Sequence, residues 1–476
     1  MRAPHAGMMI DTLYTRIFQA VAFPVLDRLN GTTIAPKLAA LFAAERLDPA
    51  EIDKRQRAKL VRAVDSARRR SEFYQRFWSA AGAQRGVPSA YAPLDGLPVL
   101  TKADLAAAPG AFPLLDYTGK LLTTRTSGST GSPMTFYRSM EQDSWFWALR
   151  FRMWSWSGYH PGDPYLEINL NPRLEWKKRL QDVLFRCTFL TFNADNQDSA
   201  RIVGCLQRQR IPHLNGFASS LFVLAHYMRE RGVAPPGVIG ITSTGDTLFP
   251  TYRETIEAAF GARVLDYYGA GGEGFHVASQ CMQSGSRYHL HPENALVEIL
   301  GADGPAPAGV PGRIVVTQFD NDAMPLIRYE LGDVAVAAAA DTCCMCGRTL
   351  PMLERIEGRI PDLIVAPDGT FLVMHFFVVL FKNLQDVQRY QIVQDERERI
   401  RVRLVARPGA DVGGIEDTIR RAVGHATRGS LATDFEWVDD IPLTGAGKRR
   451  LVISKFGREA IGAAPSDAAS AAGSTC

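Results

Sequence analysis

The segment Thr126 to Pro133 reads TSGSTGSP, a run of glycines and small hydroxyl residues. With no bulky side chains in the way, its backbone N–H groups can curl around an anion, and phosphate is the natural ligand. It is not a Walker A loop, because no lysine follows the last glycine. A second reactive set lies farther along: Cys281 and His289, then Cys344 and Cys346 in a CxC spacing directly before GRTLP. Soft thiolates with an imidazole suit tetrahedral zinc, so these four are expected to form a structural zinc site, with Cys343 and His291 as alternative ligands.

Such groups need a scaffold to position them. A chain of 476 residues, 46% hydrophobic and 22% charged, exceeds what one hydrophobic core supports and predicts two or more packed domains. Lys plus Arg number 54 against 50 Asp plus Glu, and the resulting +4 is too weak a bias to imply a nucleic-acid or membrane partner. Asp11, Arg16 and Asp27 interrupt the apolar N-terminal stretch, and the apolar run Phe371 to Phe381 is shorter than a bilayer requires. The expectation is no signal peptide, no membrane span and a cytoplasmic location, where clustered cysteines point to metal or redox chemistry rather than disulfides.

From Ala50 to Trp78 the pattern is charged, free of Pro and Gly, and apolar at helical spacing (Ile52, Leu60, Val61, Val64, Ala67), as in a long surface helix. Between about Lys120 and Val336, short apolar runs alternate with helical patterns, which argues for a largely parallel α/β sheet. After Gly358 the character changes. An Asp368-Gly369 turn lies between apolar runs, and RYQIVQ and IRVRLVA flank a charged turn, so both read as hairpins of a small α+β domain. The Ala/Ser/Gly-rich end is expected to be disordered.

The same chain holds LPVLTKADL (Leu97 to Leu105), STGDTL (Ser243 to Leu248), DYYG (Asp266 to Gly269), IRYELGD (Ile327 to Asp333), GRIPD (Gly358 to Asp362) and PLTGAGKRR (Pro442 to Arg450). With the glycine-serine loop, these motifs resemble the adenylate-forming superfamily of acyl-CoA synthetases, in particular its phenylacetate-CoA ligase branch and capsular-polysaccharide-biosynthesis relatives. The resemblance runs from Leu97 to Lys448. It implies an α/β fold: a large domain over 1–360, helical to about 95, with mostly parallel sheets, then a small mobile α+β domain over 361–458 and a disordered tail over 459–476.

The implied activity is ATP-dependent conversion of a carboxylic acid to an acyl-AMP with pyrophosphate release, then acyl transfer to CoA or another thiol or amine. Nucleotidyl transfer to a coenzyme or sugar in polysaccharide or natural-product assembly is the alternative. By resemblance, Ser127, Gly128, Ser129, Thr130 and Gly131 hold the β- and γ-phosphates, Gly245 and Asp246 line the adenine pocket, and Tyr268 stacks on the base with Asp266 nearby. Asp333 takes both ribose hydroxyls, with Arg328 as its charge partner. Lys448 brings a mobile ammonium to the α-phosphate and carboxylate as acyl-AMP forms. Glu273 binds magnesium bridging the phosphates, although YGAGGEG places it one residue later than the family pattern. Ser132 stands where many members carry lysine, and Pro361 falls at the implied domain hinge, where its fixed φ restricts rotation. CoA or another acyl acceptor is the implied partner, and relatives of this branch show a similar Cys/His arrangement.

Overall fold

The computed structural model describes residues 13–82, 94, 96–108, 110–125, 134–169, 182–192, 196–234, 237–359, 364–372, 376–377, 380–381, 384, 386–441 and 451–457. The charged N-terminal segment forms two helices rather than the single one its spacing suggests. Pro49–Arg70 starts on Asp48, whose carboxylate accepts from Ala50 N, and ends on Arg68, Arg69 and Arg70, which suit the negative end of the helix dipole. Ser71 then takes an extended backbone, and its hydroxyl caps the next helix, Glu72–Ala80, by accepting from Tyr74 N. The serine competes for the backbone where a longer helix would need it to continue.

Strands β1 (Leu121–Arg125) and β2 (Thr135–Ser139) pair antiparallel and bracket the glycine-serine sequence, which lies outside the described residues. Strands β3 (Tyr165–Asn169), β4 (Cys187–Thr191), β5 (His213–Phe217), β6 (Gly240–Thr244), β7 (Val264–Ala270), β8 (Phe275–Ser279), β9 (Tyr288–Leu290), β10 (Ala295–Leu300), β11 (Pro311–Gln318), β12 (Tyr329–Ala337) and β13 (Met352–Arg359) make one 11-stranded sheet. Its order is β10-β11-β12-β13-β9-β8-β7-β6-β5-β3-β4. Pairing is parallel from β4 to β7 and antiparallel from β7 to β10, so the expectation of a largely parallel sheet holds for only part of it. The physical reason is connection length. The helices Asn196–Gln209, Ala218–Glu230 and Pro250–Phe260 provide crossovers between the parallel strands, whereas short turns such as the one between β7 and β8 can only reverse the chain.

Separate hydrophobic clusters serve the two halves. One packs the crossover helices on β3, β5, β6 and β7 through residues such as Leu206, Leu221, Ile241 and Ile256. The other packs the Pro49–Arg70 and Glu72–Ala80 helices against the antiparallel half through Val64, Tyr74, Val316 and Tyr329. A third cluster gathers Ile364, Ile392, Val402, Ile419 and Val452. It fills a four-stranded sheet built from β16 (Val387–Glu396), β17 (Arg399–Ala406), β18 (Ala432–Trp437) and β19 (Val452–Ser454), covered by the helix Val412–Ala426. Both hairpins read from the sequence form: β14 (Ile364–Val365) with β15 (Phe371–Leu372), and β16 with β17. No helix among the described residues is long and apolar enough to cross a membrane. Pro361 and the tail over 459–476 lie outside the described residues.

A fully buried cation anchors the helix Met140–Ser155 to the antiparallel half. Arg152 donates to both Glu293 oxygens, at 2.7 and 3.1 Å, and to His291 Nδ1 at 2.7 Å. Because guanidinium only donates, His291 Nδ1 must accept, which leaves its proton on Nε2, 3.3 Å from Ser279 Oγ. Glu293→Ala would strand the charge of Arg152, and the expected cost is about 3 kcal/mol or more. Chemical denaturation measures it; a loss below about 1 kcal/mol would show that the pair is dispensable.

Candidate active site

The motif residues gather at the C-terminal ends of the parallel strands. Gly245 follows β6 with φ 81°, and a Cβ there would lie 2.4 Å from the Phe217 ring at the end of β5, so only glycine fits. Asp246 turns back to accept from Ser219 N at 3.1 Å, satisfying a free N–H at the start of the helix Ala218–Glu230. Tyr268, near the end of β7, donates its phenol to Asp333 Oδ2 on β12 at 2.5 Å. The tyrosine expected to stack on adenine and the aspartate expected to hold ribose therefore touch, although β8, β9 and β13 separate their strands in the sheet.

Glu273 sits in the turn between β7 and β8, 3.4 Å from the hydroxyl of Tyr329. Burial pushes its carboxyl above the usual range; Lys102 opposes that shift and the charge of Asp333 adds to it. The turn is tied to the glycine-serine region, because Thr124 on β1 donates its hydroxyl to Gly272 O at 2.5 Å. A carboxylate with the charge of Asp333 near it is a hard oxygen ligand of the kind magnesium takes, so Glu273 fits the metal expected here.

Two expected contacts are corrected. Arg328 is not the charge partner of Asp333: its guanidinium grips Glu298 at 2.9 and 3.1 Å and the carbonyl of Leu97, because a planar fork is best matched by a carboxylate. Asp266 is not at a ligand surface. Its carboxylate is buried and accepts from Ser243 Oγ at 2.5 Å and Tyr288 Oη at 2.6 Å, tying β6, β7 and β9 together. Burial raises its pKa. Ser127 to Gly131 and Lys448 lie outside the described residues.

Beyond the ends of β8 and β12, Cys281, Cys344 and Cys346 meet His289 of β9, and the four offer ligand atoms that all lie within 4.8 Å of one another. Cys281 Sγ is 3.7 Å from Cys344 Sγ, and Cys346 Sγ is 3.5 Å from His289 Nε2. A tetrahedron with Zn–S of about 2.3 Å and Zn–N of about 2.0 Å has edges of roughly 3.5–3.8 Å, so the cluster fits zinc. The alternative ligands do not join it. His291 Nδ1 is taken by Arg152, and Cys343 is exposed and directed at Asp341 O. Around the cluster, Glu45 accepts from Trp156 Nε1 at 2.7 Å and Arg348 Nε at 2.8 Å, which joins the cysteine loop to the N-terminal helices.

Sequence reasoning missed Tyr329, Lys102 and Glu298. Tyr329 and Lys102 stood inside quoted motifs, where their role could have been asked; nothing in the sequence marked Glu298 as the partner of Arg328.

The profile of the CapK C-terminal domain family matches residues 364–455. The chain is similar to a phenylacetate-coenzyme A ligase of Thermus thermophilus, with 28% identity over 181 residues, 36% of this chain and 39% of that protein. It is also similar to protein CapK of Staphylococcus aureus, with 23% identity over 397 residues, 82% of this chain and 86% of that protein. Among solved structures it resembles 2-hydroxyisobutyryl-CoA ligase in complex with an acyl-AMP, in the postadenylation state, with a TM-score of 0.67, 22% identity, 87% of this chain and 91% of that one covered.

The raised pKa of Glu273 has a consequence for stability. The folded state keeps the proton to higher pH than the unfolded chain, so the group costs stability as pH rises through that range. In magnesium-free buffer, Glu273→Gln should be more stable than wild type at pH 7, and the gap should close as pH falls below about 4. Denaturation curves across pH check this; a variant less stable at pH 7 would contradict it.

Proposed function

We propose that the chain is a member of the adenylate-forming superfamily, similar to phenylacetate-CoA ligase and CapK, and that it activates a carboxylic acid with ATP and passes the acyl group to a thiol, CoA first among candidates. The observation that carries this reading is that β12 brings Asp333 to Tyr268 and Tyr329 to Glu273, whose turn is tied by the Thr124–Gly272 hydrogen bond to β1, the strand that precedes the glycine-serine sequence. The name of the Thermus relative supports CoA as acceptor.

In the first step a carboxylate oxygen of the acid attacks the α-phosphorus, the Pα–O–Pβ bond breaks, and pyrophosphate leaves with the electron pair. Ser127 to Gly131 would hold the departing phosphates, their glycines and hydroxyls being suited to an anion. Asp333 is acceptor-only and faces two ribose donors, while Tyr268 fixes one of its oxygens by a 2.5 Å hydrogen bond. Lys448 neutralises charge that exceeds that of the ground state. Magnesium, held by Glu273 with Asp333 close by, would screen the phosphate oxygens. In the second step the thiolate attacks the acyl carbon, the acyl–oxygen bond breaks, and AMP departs.

The Cys/His cluster lies away from these groups and is a structural zinc site in this reading, with Cys281, His289, Cys344 and Cys346 as its ligands.

Lys448→Ala is expected to lower acid-dependent ATP–pyrophosphate exchange by about 10²–10³ while the Kd for ATP stays within about threefold. Asp333→Ala should instead weaken ATP binding by roughly tenfold or more. Equal, mild effects from both would contradict the assigned roles.

For the metal, elemental analysis of protein prepared under reducing, chelator-free conditions should find about one zinc per chain. The Cys344→Ser/Cys346→Ser variant should lose the metal and unfold at a lower temperature. Protein without zinc would rule the site out.

A further inference from the structure

We propose that His276 reads a hydroxyl group on the acyl substrate, so that the enzyme activates hydroxy-acids in preference to their unsubstituted analogues. This rests on the adenylation reading above and names the substrate class of that site.

His276 lies on β8 opposite Gly269 of β7. Its side chain is buried, yet neither Nδ1 nor Nε2 has a hydrogen-bond partner among the described residues. A neutral imidazole carries one donor and one acceptor, and buried polar groups are almost always paired. The ring is held by apolar walls, stacked on Phe146 at 4.3 Å and edge-on to Tyr267 at 5.5 Å, while its polar edge is unmatched. Gly269 provides the space: a Cβ there would sit 3.0 Å from Nδ1.

Further unmatched polar atoms cluster nearby. Gln142, one helical turn before Phe146, is fully buried with Oε1 unpartnered, while its Nε2 donates to Gly274 O at 3.2 Å. Arg138 has an unpartnered Nε, and its guanidinium lies 4.9 Å from the centre of the Phe146 ring. The group to be received is therefore hydrogen-bonding. It is also uncharged, because the neighbouring charges balance: Arg138 is 3.4 Å from Asp143, and Arg150 is 3.1 Å from Glu167. Burial, with Arg150 and Arg138 close by, holds the His276 pKa well below its ordinary value, so donor and acceptor are both present at neutral pH. The place is next to the chemistry. Gly269 follows Tyr268, which binds Asp333, and Gly274 follows Glu273. A hydroxyl both donates and accepts; a hydrocarbon acid would leave these buried atoms unmatched.

The test is ATP–pyrophosphate exchange on matched pairs: 4-hydroxyphenylacetate with phenylacetate, hydroxybenzoate with benzoate, and 3-hydroxybutyrate with butyrate. The hydroxylated member of the accepted pair is expected to lead by about 10² or more in kcat/KM, as sites built to bind a hydroxyl discriminate at least that strongly. His276→Phe should bring the pair within about tenfold with ATP binding unchanged, and His276→Gln, which keeps a donor and an acceptor, should retain part of the preference. Equal use of both members by wild type, or a preference that survives in His276→Phe, would overturn the proposal while leaving adenylation intact. The wild-type comparison needs no variant, so it decides even if His276→Phe does not fold. Silence with every acid would overturn the adenylation reading, and this proposal with it.

Discussion

The candidate active site depends on one strained bend. Arg328 adopts a left-handed backbone conformation, φ 50°, which a residue other than glycine keeps only when its surroundings hold it there. Here they do so from several sides. Its N–H donates to Thr317 Oγ1, its carbonyl accepts from Leu100 N at 2.8 Å, and its guanidinium is taken by Glu298 and Leu97 O. Tyr74 closes the bend from the helix Glu72–Ala80, donating to Pro325 O and accepting from Ile327 N. The chain that leaves this bend enters β12 with Tyr329 aimed at Glu273 and Asp333 aimed at Tyr268. The motif arginine is therefore placed to act by positioning: it holds the start of the strand that carries Tyr329 and Asp333.

The sheet explains why those groups meet where they do. Strand β7 is the seam, parallel to β6 on one side and antiparallel to β8 on the other. Ligands of open α/β sheets bind beyond the carboxyl ends of parallel strands, and Phe217, Gly245 and Tyr268 lie at the ends of β5, β6 and β7. The antiparallel half then carries Asp333 across to the same place. Buried tethers keep the seam in register, with Asp266 joining β6 and β9 through Ser243 and Tyr288, and Arg152 joining a helix to the loop around Glu293. The Cys/His cluster adds a further tie between the sheet and the N-terminal helices, through Trp156, Glu45 and Arg348.

Much of this was legible in the sequence because it depends on local pattern. Alternating apolar runs and helical stretches located β5, β6, β7 and their crossover helices, and the Asp368-Gly369 turn located a hairpin. The spacing of Cys281, His289, Cys344 and Cys346 singled out four residues that do converge. What was not legible depends on contacts between distant segments. Nothing near Arg328 announces Glu298 or Leu97 as its partners, and nothing near Asp266 announces that Ser243 and Tyr288 bury it. The antiparallel half was missed because an apolar run such as the fully buried β8 carries no sign of its strand's direction, and the break at Ser71 because a hydroxyl competing for backbone is a subtle feature in a strongly helical run.

The central claim is that a carboxylate oxygen of the substrate becomes bonded to the α-phosphorus of ATP. Incubating the enzyme with ATP, CoA and a carboxylic acid labelled with ¹⁸O in its carboxyl group, and weighing the released nucleotide, tests this directly. The account predicts AMP carrying one labelled oxygen. Unlabelled AMP, or ADP formed with labelled phosphate, would contradict it.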